Sequence, residues 1–172
     1  VAVTDVHEKD GLIVHTCSAA LEAGAQVHGE LDWARRFDHM QQHSGEHIVS
    51  GIVCAMTGGC NVGFHMGADC TTVDFSVKLT DEAIREIQQK ANDAVSENRA
   101  IRAWYPAAED LAALPYRSKK ELTGEVRIVR FPGADLCACC GTQVQRTGEI
   151  GLVKLLSCVK FHAGVRIEMA CG

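Results

Sequence analysis

A chain of 172 residues and 18.6 kDa can bury a core without disulfide staples, and its 47% hydrophobic and 23% charged composition excludes wholesale disorder. A net charge of −5 argues against broad, nonspecific nucleic-acid binding and leaves only a local basic patch open. No apolar run reaches the length of a membrane span and no basic-then-apolar leader is visible, so the nine cysteines read as reduced thiols of a cytosolic protein. The sequence opens on Val1 rather than Met, and the expectation is a fragment of a longer protein.

Residues 1–6 and 11–16 are β-branched stretches separated by the polar segment His7-Glu8-Lys9-Asp10, and residues 25–32 alternate apolar with polar. Three short strands cannot close on themselves, so residues 1–33 are expected to be the remnant of a small β-barrel. Residues 34–57 carry Phe37, Met40, Ile48, Ile52 and Met56 at helical spacing, with Asp38 near the start and Gly58-Gly59 as the stop. Residues 61–78 alternate around Gly67-Ala68-Asp69 and predict a hairpin. Thr80 is placed to cap a second helix whose apolar face is Ala83, Ile84, Ile87, Ala91, Ala94 and Val95. A strand over 101–105 ends at Pro106. Residues 107–124 read as a short helix and a loop exposing Arg117, Lys119 and Lys120. Residues 125–131 form a strand turned by Pro132-Gly133, and 149–161 with 164–170 form a last hairpin. Trp33 and Trp104 are expected in the core.

Two constellations carry chemistry. His43-Ser44-Gly45-Glu46-His47 puts two imidazoles at i and i+4, one above the other on a helix face, where they can grip one Zn²⁺. His39 extends the row by a turn. Gly45 weakens a helix relative to Ala and makes sense if something approaches the backbone there. The second is Cys137-Ala138-Cys139-Cys140-Gly141-Thr142-Gln143, which packs three thiols into four residues. Two histidines from a helix and one thiolate from a distant loop make a three-ligand zinc site with the fourth position left for water. Such a metal lowers the pKa of the water and polarises a carbonyl. The same residues leave other readings open. His43 to His47 also fits the HxxEH pattern of metallopeptidases, with Glu46 as general base and Glu121 or Glu125 as the distant ligand. A non-catalytic zinc-dependent RNA-binding module and a thiol redox protein are the remaining alternatives.

At these stretches the sequence resembles the alanyl-tRNA synthetase editing domain and its free-standing AlaX-type relatives. The helix pentapeptide is similar to the family's HxxxH motif. The run Cys139 to Val144 with Thr147-Gly148-Glu149-Ile150-Gly151 is similar to CxGTHV…TGEIG, and Gly164-Val165-Arg166-Ile167-Glu168 to the GxRRIE ending. The resemblance spans about Asp32 to Gly172. It implies an α+β, two-layer editing domain over 34–172, with helices on a mostly antiparallel sheet. It also implies a cytosolic, zinc-dependent deacylase of mischarged tRNA(Ala), with Ser-tRNA(Ala) and Gly-tRNA(Ala) as substrates. By motif His43, His47 and Cys139 are the zinc ligands. The family's fourth motif residue is His, and here it is Gln143, a poor ligand beside imidazole. Either the site runs on three protein ligands, with Gln143 placed to hydrogen-bond the metal-bound water, or the fourth ligand comes from Cys140, Cys137 or His39. Thr142, or Ser44, is placed to bond a serine hydroxyl and so spare correct Ala-tRNA. Glu46 is either a partner of a ligand histidine or a solvated carboxylate. For tRNA phosphates the expected contacts are Arg117, Lys119, Lys120, Arg35 and Arg36, followed by Lys154 and Arg166.

Overall fold

The computed structural model describes residues 1–67, 69–118, 122 and 124–172. By contacts the chain divides into two units, Val1–Leu31 and Asp32–Gly172. In the first, β1 (Val3–Lys9) pairs antiparallel with β2 (Leu12–Cys17). The turn is the two-residue Asp10-Gly11, both at positive φ, the geometry that matches strand twist in tight hairpins. It is shorter than the sequence suggests, and β1 runs on through His7 to Lys9. Residues 25–32 form no strand, which corrects the expectation of a third. Alternation yields a strand only where a neighbouring edge supplies hydrogen bonds. The unit is thus a hairpin with exposed Leu12, Ile13 and Val14.

The second unit begins at Asp32, whose side chain accepts from the Arg35 amide and caps helix α1 (Trp33–Thr57). Gly58, in the left-handed region, ends it. The hairpin β3 (Asn61–Met66) and β4 (Thr71–Phe75) follows, then α2 (Asp81–Ser96), capped by Thr80 on Ala83 as expected. Next come β5 (Arg102–Trp104), α3 (Ala108–Ala113), β6 (Ile128–Phe131) and β7 (Asp135–Ala138). A 3-10 turn over Thr147–Ile150 leads to the hairpin β8 (Val153–Phe161) and β9 (Gly164–Cys171).

The class is α+β with antiparallel sheets, but the strands make two sheets, ordered β3-β4-β9-β8 and β5-β6-β7. Helix α1 touches β3 and β9 of one and β7 of the other. Being covered from several sides, its middle has no solvent-facing side: every residue from Ser44 to Val53 is buried, the polar Ser44, Glu46, His47 and Ser50 included. Ile48, Val49 and Val53 are fully buried there among Phe75, Phe131, Ile167 and Met169, each such side chain contributing about 1.5–3 kcal/mol. A Cβ on Gly45 would overlap the Cys171 sulfur, so the close approach inferred from that glycine is made by β9. Trp33 is 61% exposed, against the core expectation, because it begins α1 before the sheets cover the helix. Trp104 is half-buried, with the Arg130 guanidinium 5.9 Å from its ring centre.

Candidate active site

The site forms where the buried middle of α1 meets β7 and the loop after it. His43 Nδ1 lies 3.0 Å from the Thr142 carbonyl oxygen, which fixes the proton on Nδ1 and turns Nε2 towards Cys139 Sγ, 3.5 Å away. Phe64 of β3 stacks on the same ring, and a Cβ on Gly141 would collide with it. One turn later, His47 Nδ1 is 3.3 Å from Asp135 Oδ2 and 3.1 Å from Cys137 Sγ. Phe131 stacks on this ring, with centroids 5.1 Å apart. The other nitrogen, His47 Nε2, is buried and has no hydrogen-bond partner among the described residues.

Asp135 is held from the far side. Arg117 Nε and Nη2 donate to its two oxygens at 2.9 and 2.8 Å. Gly51 makes room: a Cβ there would strike the Ala134 carbonyl oxygen and the Asp135 side chain. Burial raises a carboxyl pKa, but the bonds from His47 and Arg117 outweigh it and hold Asp135 below its ordinary value. Burial likewise lowers the pKa of His47, yet Asp135, Cys137, Cys139 and nearby Glu46 raise it well above the usual imidazole value.

Cys139 is the unusual thiol. Burial pushes it up, but His43 and His47 bring its pKa down to about 5. The Gly141 amide donates to its sulfur at 3.4 Å and Gln143 Nε2 at 3.6 Å. Cys137, by contrast, is pushed up by burial and stays a thiol.

Ligand atoms of His43, His47 and Cys139 lie within 4.8 Å of one another. Two imidazoles and a low-pKa sulfur are a zinc donor set. A buried imidazole nitrogen without a partner, close to a low-pKa sulfur, calls for a cation between them. The residues therefore fit the metal. A second group, His47, Asp135 and Cys137, is also close enough to hold an ion. It uses the Nδ1 side of His47, where Asp135 already supplies the acceptor that orients a ligand histidine.

The remaining expected residues are placed as follows. Gln143 Oε1 accepts from Ser44 Oγ at 2.7 Å, so its oxygen is occupied and its amide nitrogen faces Cys139. Ser44 is buried and also accepts from the Val144 amide, which leaves it no contact for a substrate hydroxyl. Thr142 is exposed, and its carbonyl is the group that meets His43. Glu46 is 2% exposed, which corrects its reading as a solvated carboxylate; Ser50 Oγ donates to Oε1 at 2.6 Å, and Asn61 Nδ2 donates to the same oxygen. Cys140 is exposed, and His39 joins no metal-competent group among the described residues. Arg117 is engaged with Asp135, whereas Arg35 and Arg36 begin α1, two turns from His43. Arg166 pairs with Asp74 at 2.7 and 2.8 Å, and Lys154 is exposed on β8. Lys119, Lys120 and Glu121 lie outside the described residues. Glu125 is exposed and in no metal-competent group, which takes from the peptidase pattern its other proposed ligand. Asp135 carries no signal in the sequence, because residues 135–138 become a strand only through their pairing with β6.

The group opens onto a cavity of about 250 Å³, walled by His43, Glu46, His47, Phe64, Arg127 and Cys139 among others. No helix among the described residues is long and apolar enough to cross a membrane.

Residues 126–168 match the model of the threonyl and alanyl tRNA synthetase second additional domain. The whole chain is 33% identical to the alanine–tRNA ligase of Pyrococcus furiosus, covering 20% of that protein. It is 33% identical to the alanyl-tRNA editing protein AlaX-M of Methanosarcina barkeri over 87% of the chain and 63% of the relative. It is also 33% identical to the alanyl-tRNA editing protein Aarsd1 of Danio rerio, over 86% of the chain and 37% of the relative. The chain thus spans about a fifth of the ligase and under two thirds of the editing proteins.

Proposed function

The chain belongs to the alanyl-tRNA editing family, and we propose that it hydrolyses the aminoacyl ester of mischarged tRNA(Ala), releasing serine and also glycine. The reading is carried by one observation: a cavity walled by His43, His47 and Cys139, with a buried imidazole nitrogen that lacks a partner. A zinc ion held by these three would supply an acidified water and polarise the ester carbonyl.

The chain's own groups prepare that chemistry. The Thr142 carbonyl and Asp135 each take the Nδ1 proton of one histidine, leaving both Nε2 atoms to ligate. Gln143 donates from its amide nitrogen to the Cys139 sulfur, and its amide oxygen stays with Ser44. Phe64 and Phe131 fix the two ring planes and narrow the space for water. The Thr142 hydroxyl bonds nothing among the described residues and is the proposed contact for the serine hydroxyl. A contact of that kind favours a seryl group over an alanyl one and leaves glycyl esters the poorer substrate. Arg35 and Arg36 are proposed to meet tRNA phosphates, and the setting is the cytosol.

The test is deacylation of Ser-tRNA(Ala) against Ala-tRNA(Ala) by protein of known zinc content, with His43→Ala and Cys139→Ala alongside. Serine release that needs zinc and both residues supports the reading. Zinc-loaded protein that releases no serine overturns it in favour of a non-catalytic RNA-binding module.

A further inference from the structure

Glu46 is the one carboxylate of α1 sealed into the middle of the fold, and the metal site does not use it. It sits three residues after His43 and one before His47, and it lines the same cavity. Its Oε1 takes both of its hydrogen bonds, from Ser50 and Asn61, and Asn61 Nδ2 also donates to Ser50 Oγ at 2.9 Å. The three side chains lock one another, so the carboxylate has one orientation. Its Oε2 accepts no hydrogen bond among the described residues and is the oxygen left for the cavity.

Burying an ionised carboxylate is costly unless a cation meets it. Among the described residues the two arginines of the cavity are hydrogen-bonded elsewhere, and although His47 and Arg117 feel the Glu46 charge, neither bonds it. Arg117 pairs with Asp135, and Arg127 Nη1 donates to the carbonyl oxygens of Cys139 and Gly141 at 2.7 and 3.1 Å. No ion pair among the described residues reaches Glu46.

We infer that Glu46 is the binding residue for the α-ammonium group of the substrate's acyl moiety. The inference rests on the editing reading. In an aminoacyl ester the amine is two bonds from the carbonyl carbon. Glu46 lines the cavity onto which His43, His47 and Cys139 open, so an acyl carbonyl held by those three carries its ammonium into the space that Glu46 walls. The cavity thus selects small aminoacyl esters with a free, charged amine and excludes N-blocked ones such as peptidyl or formylated esters. Glu46 recognises the charge common to all aminoacyl groups, and the choice between serine and alanine falls to other contacts.

The test uses zinc-loaded protein and three non-hydrolysable amides of the tRNA 3′ adenosine, carrying seryl, N-methylseryl and N-acetylseryl groups. N-methylation adds bulk and keeps the charge, whereas acetylation removes it. The seryl and N-methylseryl amides should bind about ten- to a hundredfold more tightly than the N-acetyl compound, the size of a charge-assisted hydrogen bond. Glu46→Gln should flatten the series. Equal binding of all three, binding of none, or a preference that survives Glu46→Gln overturns the inference. The last result is what a carboxylate acting only on water would give. If Glu46→Gln does not fold, Glu46→Asp, which draws the carboxylate back by one methylene, takes its place, and a preference that it leaves undiminished overturns the inference. Serine release from Ser-tRNA(Ala) is measured in parallel. Protein that binds in the predicted order yet releases no serine would overturn the hydrolytic reading and leave the ammonium site standing.

Discussion

The two histidines of the site are held by opposite means. His43 is oriented by a backbone carbonyl, backed by Gly141 and fronted by Phe64, at the half-buried rim. His47 is oriented by a carboxylate with 2% side-chain exposure, itself pinned by an arginine. At the rim, a carbonyl and a glycine suffice, and no charge is desolvated. In the interior, the ring needs an ionic partner, and that partner needs its own counter-ion. The rim should tolerate the loss of a side chain, as at Thr142, but not one added at Gly141, and the interior should tolerate neither.

The largest expected effect is therefore at Asp135. Asp135→Ala frees the His47 ring and leaves Arg117 facing an empty position. Zinc affinity, read by competition with a chelator, should fall about ten- to a hundredfold, and unfolding should cost about 3 kcal/mol less. A loss under threefold would mean that packing by Phe131 holds the ring and that the charge is dispensable.

Gly141→Ala tests the rim by shape. Its methyl would displace His43, and we expect zinc affinity to drop about tenfold with a destabilisation of about 1–3 kcal/mol. Unchanged affinity would show that the loop can shift without moving the ring.

The metal-free protein should titrate in a way that reports both histidines. Cys139 has its pKa lowered from 9.0 to about 5. Its stabilising contribution is full above 9.0 and is lost as pH falls through about 5. His47 has a raised pKa, so its contribution is full below its ordinary 6.5 and disappears as pH rises through the raised value. Thiolate absorbance should appear with a midpoint near pH 5, and His43→Ala should move that midpoint up. A midpoint near the ordinary thiol value in the native chain would refute the electrostatic account of Cys139.

The smallest effect on the metal is expected from Thr142→Ala, because the group that orients His43 is a main-chain carbonyl. Zinc affinity should stay within about twofold while the preference for Ser-tRNA(Ala) over Ala-tRNA(Ala) declines. A large loss of zinc would place the threonine side chain, rather than its backbone, in control of the ring.

The His43-to-His47 spacing was legible because a helix has a fixed period: residues four apart share a face in any fold. The Thr80 cap and the hairpin ends at residues 61–78 and 149–170 were legible for the same reason, each being decided within a few residues. The motif order also marked Cys139. Asp135 was invisible, since β7 exists only through pairing with β6, and its approach to α1 depends on Gly51, 84 positions away. The buried state of Glu46 was equally hidden: an amphipathic pattern describes a helix covered on one side, and α1 is covered by β3, β9 and β7. The strand expected over residues 25–32 is absent because a strand needs an edge to pair with, and the alternation carries no information about one. Local chemistry, set by chain geometry over a few bonds, was thus fixed in the sequence: two imidazoles on one face and a cluster of thiols. Which groups lose their water, and which partner then stands beside them, was decided by the packing of two sheets around one helix.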